Sequence, residues 1–96
     1  MPVVQIEHAV RDFATWKAAF DGDPIGRQAA GVRRYKIYRP MSDQNHIAVD
    51  LELDLLSEAE ALKLDLEQLW RTPQAAAALG GTPRARILDV VESRTY

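Results

Sequence analysis

The chain has 96 residues, enough for one domain with a modest core, because a chain this short removes only about 60–65% of its unfolded surface on folding. Its 47% hydrophobic residues include 14 alanines, so large apolar side chains are few for an independent monomer, and the absence of cysteine excludes disulfides, thiolate metal sites and a thiol nucleophile. Twelve basic residues against 14 acidic ones give a net charge of −2 with the signs interspersed, which argues against nucleic-acid binding through phosphates. With no apolar run of about 18 residues and no basic-then-apolar leader, neither a membrane span nor a signal peptide is expected, and the chain reads as cytoplasmic.

Val3 to Ala9 opens on β-branched residues and alternates, with Val4, Ile6 and His8 on one face and Val3, Gln5 and Glu7 on the other, which predicts a first strand. Asp12 is placed to cap a helix whose stripe is Phe13, Trp16 and Phe20, ending before Asp21. Asp23-Pro24 has the form of a cap and first-turn pair and predicts a short helical piece through Gln28 and Ala30, stopped by Gly31. A second strand follows over Val32 to Arg39, ended by Pro40, with Val32, Arg34, Lys36 and Tyr38 on one face. After the turn Ser42 to Asn45 comes the clearest strand. It sets Ile47, Val49, Leu51 and Leu53 against His46, Ala48, Asp50 and Glu52.

Ser57 and Glu60 have the spacing of a capping box, so a second long helix is expected to start at Ser57. Its inward stripe is Ala59, Leu62, Leu66, Leu69 and Trp70, with Leu64 outward. Thr72-Pro73 opens a short alanine-rich helical turn to Leu79, Gly80-Gly81 closes it, and a last strand is expected from Ala85 to about Glu92. The order βαββαβ predicts an α+β, ferredoxin-like single domain over residues 1–96, a four-stranded antiparallel sheet with the helices on one face. The other face mixes Gln5, Glu7, His46, Asp50 and Glu52, and the alanine-rich composition favours covering it with a second copy of the sheet as a homodimer.

The run His8-Ala9-Val10-Arg11-Asp12-Phe13-Ala14-Thr15-Trp16-Lys17-Ala18-Ala19-Phe20-Asp21, with Arg27, Gly31-Val32, Tyr38-Arg39-Pro40 and Asp43-Gln44-Asn45, resembles small bacterial proteins of the dimeric α/β-barrel superfamily. Within it, the antibiotic-biosynthesis monooxygenase-like and cyclase-like proteins are the nearest in pattern. The resemblance implies the fold and a dimer, and leaves the chemistry open, because the superfamily hosts several activities. Its haem-degrading members carry an asparagine on the first strand and a histidine after a tryptophan of the second helix; Trp70 matches that tryptophan, but strand one has Gln5 and Glu7 and no histidine follows His46. Its cofactor-independent oxygenases act on phenolic substrates and need only an apolar aromatic pocket with a base, parts that His8, Trp16, Tyr35 and Trp70 would supply.

Each of these residues also has a purely architectural role open to it. His8 fits either a packed core histidine or a pocket base, and its near-neutral reference pKa of about 6.5 suits the second. Trp16 belongs to an aromatic core stripe, and Trp70 either closes the core or forms a pocket wall. Arg27 would bind a ligand carboxylate bidentately or pair with Asp21 or Asp23. His46 and Asp50 lie about 13 Å apart by strand rise, too far to share a metal without other ligands, so no metal is expected, and the likeness to cofactor-independent oxygenases implies no cofactor. The functional expectation is a homodimer binding an aromatic or planar small molecule, with cofactor-independent monooxygenation the activity that the resemblance implies; the alternative is a non-catalytic homodimeric binding or assembly module.

Overall fold

The computed structural model describes residues 1–96. The elements run β1 (Pro2–Ala9), α1 (Phe13–Asp21), β2 (Val32–Tyr38), β3 (His46–Leu53), α2 (Leu56–Leu69), α3 (Pro73–Ala78) and β4 (Arg84–Asp89). The four strands form one antiparallel sheet in the order β2-β3-β1-β4, the ferredoxin-like arrangement that the order of elements predicted. β3 is the sheet's apolar centre. Its period-two pattern buries Ile47, Val49, Leu51 and Leu53 almost completely, against Val4 and Ile6 of β1 and Ala59, Leu62 and Leu66 of α2. Leu64 of α2 points to solvent, 60% exposed.

Asp12 caps α1 as expected: its carboxylate accepts from the Thr15 amide at 2.9 Å. Thr72 caps α3, its Oγ1 accepting from the Ala75 amide at 3.3 Å while donating to the Leu69 carbonyl at 2.7 Å.

Four local expectations are corrected. Residues Pro24 to Ala30 form successive turns and no helix, because Asp23 and Gly26 take positive φ values of 52° and 72° and interrupt the ladder. α2 starts at Leu56, ahead of Ser57; the amide of Leu55 donates to the Glu58 carboxylate, so Glu58 and not Glu60 closes the helix entrance. A register shift between Val32 and Arg34 turns Val32 into the core opposite Leu53, where strict alternation had put it on the Arg34 side. β4 stops at Asp89 and not at Glu92, because its neighbour β1 begins at Pro2, the partner of Asp89, and the chain beyond has no strand to pair with.

The face away from the helices is a polar lattice. Arg86 donates to Gln5 Oε1 at 2.7 Å, Gln5 Nε2 donates to Asp50 at 3.0 Å, and Arg34 donates to Glu52 at 3.2 Å. The same Asp50 carboxylate pushes the Tyr38 phenol above its usual range, chiefly by accepting its hydrogen bond.

Candidate functional site

Between the helix-side face of the sheet and the helices lies a cavity of about 200 Å³, and 14 of its 18 lining residues are hydrophobic. β1 contributes Ile6 and His8, α1 contributes Trp16, Ala19 and Phe20, the segment after α1 contributes Pro24, Ile25 and Arg27, and the end of α2 contributes Leu69 and Trp70. α3 closes the far wall with Gln74, Ala75 and Ala78. Those alanines are why a space exists there. A helix of larger side chains would fill it. The α3 end is fixed to β1 by a bridge between Val10 and Leu79 and by the Gly80 amide donating to the Ala9 carbonyl at 3.0 Å.

His8 sits at the inner end of this space, 3% exposed, with its ring edge-on to Trp16 (centroids 6.0 Å apart) and to Trp70 (6.5 Å). Its Nδ1 lies 2.8 Å from the Ala9 carbonyl, which can only accept, so the proton belongs on Nδ1 and the lone pair on Nε2. Nε2 has no protein partner, yet no buried side-chain nitrogen or oxygen is left unpartnered, so Nε2 keeps access to open space. Burial holds the imidazole below its usual pKa, helped by repulsion from His46 and opposed by the Ala9 hydrogen bond. His8 is therefore neutral at pH 7, an acceptor facing an aromatic enclosure.

Of the five residues singled out in the sequence, His8, Trp16, Arg27 and Trp70 line the cavity. Tyr35 does not. It lies outside on β2, 42% exposed, its ring edge-on to Phe20 at 5.1 Å and 5.1 Å from the Arg27 guanidinium. Arg27 makes the ion pair that competed with a ligand role, with Asp23 at 3.4 Å, and donates Nη1 to the Phe20 carbonyl at 2.8 Å. Its guanidinium lies over the Phe20 ring at 3.8 Å. Sequence reasoning missed Phe20, Ile25 and Gln74 as lining residues. Only the alanine-rich stretch after Thr72-Pro73 hinted at a vacant wall.

His46 is on the opposite face of the sheet, its Nε2 3.6 Å from a Glu7 carboxylate oxygen. No helix is long and apolar enough to cross a membrane.

No family model matches the chain, and no curated protein matches it. Solved structures do. A candidate antibiotic biosynthesis monooxygenase of Nitrosomonas europaea is 18% identical, over 96% of this chain and all of that one, with a TM-score of 0.63. A candidate antibiotic biosynthesis monooxygenase of Bordetella bronchiseptica is 12% identical over 95% of this chain and 98% of its own, with a TM-score of 0.72. A protein from an uncultured marine organism, described as a dimeric ferredoxin-like protein, is 13% identical over 97% and 98%, with a TM-score of 0.62. The chain thus shares the ferredoxin-like fold of antibiotic biosynthesis monooxygenase-like proteins, the fold that the sequence resemblance implied. Identities this low carry the fold and not the reaction.

Proposed function

We propose that the chain binds a small aromatic hydroxyl compound in this cavity and oxidises it with molecular oxygen, the substrate supplying the electrons. The observation that carries the proposal is the neutral His8, its Nε2 lone pair unpartnered within a largely aromatic and aliphatic enclosure. A cavity of about 150 Å³ takes one benzene ring, so about 200 Å³ suits a substituted ring or a compact bicyclic compound. The ligand hydroxyl donates to His8 Nε2, and transfer of that proton makes the ring an electron-rich phenolate. A ring carbon bearing hydrogen then becomes a carbonyl: one oxygen atom enters the ring, and the other leaves as water with the hydroxyl and ring hydrogens. A naphthol becomes a naphthoquinone with no external reductant. The names of the Nitrosomonas and Bordetella neighbours support this reaction class.

The test is incubation of the protein with phenols and naphthols under isotopically labelled oxygen, with products read by mass spectrometry. One labelled atom per product is expected, with a rate about 100-fold lower in His8→Asn. Binding without labelled product would leave a non-catalytic binding module, and no binding at all would remove the cavity from consideration.

The proposal includes a homodimer formed through the polar face of the sheet. Its support is the marine neighbour described as dimeric and the small core of this chain, in which 15 of 96 residues are buried. Sedimentation at micromolar concentration is expected to give twice the 10.8 kDa chain mass; a 10.8 kDa species would contradict the pairing.

A further inference from the structure

The cavity wall is not uniformly neutral. Apart from the two indoles, only His8, Arg27 and Gln74 bring polar side chains to it, and only Arg27 brings a charge. The guanidinium is held in place by its stacking on Phe20 and by the Phe20 carbonyl, which occupies Nη1. Nε and Nη2 have no protein acceptor, and since no unpartnered side-chain nitrogen is buried, both reach open space. Asp23 compensates the charge only in part. Its carboxylate stands 3.4 Å from Nη1, already accepts the Arg27 backbone amide at 3.0 Å, and is 37% exposed. A cation held at the wall of an apolar space repels cationic ligands, gains little from neutral ones, and offers two parallel N–H donors to a planar anion.

We infer that the ligand is an aromatic hydroxy acid, its carboxylate taken by Arg27 while its hydroxyl donates to His8. The two ends are held by different walls, Arg27 by the segment after α1 and His8 by β1, so the pair sets the orientation of the ring as well as its charge. The assignment rests on the reading of the cavity as a site for aromatic hydroxyl compounds. It adds the acid.

The experiment titrates the full chain with phenol, with meta- and para-hydroxybenzoate, and with the two corresponding hydroxybenzamides, following calorimetric heat and tryptophan emission at neutral pH. At least one acid is expected to bind about 10- to 100-fold more tightly than its amide. That ratio should fall to about one in Arg27→Gln and be partly kept in Arg27→Lys. Raising the salt concentration should weaken the acid and leave the amide unaffected, a readout that needs no variant. Phenol binding with no preference for either acid, or a preference unchanged in Arg27→Gln, would overturn the inference while leaving the cavity reading intact, with Arg27 then a structural clamp. Failure of every probe to bind would overturn both.

Discussion

The His8 imidazole meets the Trp70 indole edge-on, with centroids 6.5 Å apart and 70° between the ring planes, so the last turn of a helix and the end of a strand close on one small space. Neither partner is unusual by itself. Their meeting, with Trp16 also edge-on to the same imidazole, leaves the histidine buried yet lining the cavity.

That burial makes stability depend on pH. The folded-state pKa of His8 lies below the unfolded value of about 6.5. Above that value both states are neutral and the full stability is present. As the pH falls, the unfolded chain takes up the proton first, and stability is lost until the pH passes the depressed folded value. Urea midpoints measured from about pH 8 to about pH 5 should fall on the acid side and fall less in His8→Asn. Parallel curves would show that His8 does not titrate in this way.

Core and surface leucines of the same helix should separate cleanly. Leu62→Ala removes a side chain that is 1% exposed beneath β3 and should cost about 2–5 kcal/mol, whereas Leu64→Ala on the outer face should change stability by less than about 0.5 kcal/mol. Equilibrium urea unfolding reads both.

Gly31 precedes β2 with φ of +105°, and a methyl group there would collide with the Glu58 carboxylate that accepts the Leu55 amide. Gly31→Ala should therefore cost about 1–3 kcal/mol, through backbone strain and loss of the α2 entrance contact. Gly26→Ala, also at positive φ but with open space around it, should cost about 1 kcal/mol. Equal losses in the two variants would mean that the Glu58 collision contributes nothing.

Thr72 joins α2 to the cavity's alanine wall through its bonds to Leu69 and Ala75. Thr72→Ala should cost about 1 kcal/mol in stability. Because the loosened α3 is a cavity wall, hydroxybenzoate should also dissociate faster, measured by stopped-flow tryptophan emission.

Periodicity alone determined the architecture. The alternation of Ile47 to Leu53 against His46 to Glu52, the stripe of Ala59, Leu62 and Leu66, and the Asp12 and Thr72 caps are properties of neighbouring residues, and all reappear in the fold. Where competing local contacts or a distant partner decide the outcome, periodicity was insufficient. Glu58 outcompetes Ser57 at the start of α2, the shift before Arg34 swings Val32 inward, and β4 ends at Asp89, the partner of Pro2 at the start of β1. The site followed the same division. His8, Trp16, Arg27 and Trp70 could be singled out as chemically able side chains, but that they share one cavity while Tyr35 lies outside it depends on helix placement over the sheet. The scarcity of large apolar residues first read as a thin core. Tertiary structure gave it a location, because Ala75 and Ala78 line the same space as His8, and the volume that small side chains leave there belongs to the cavity.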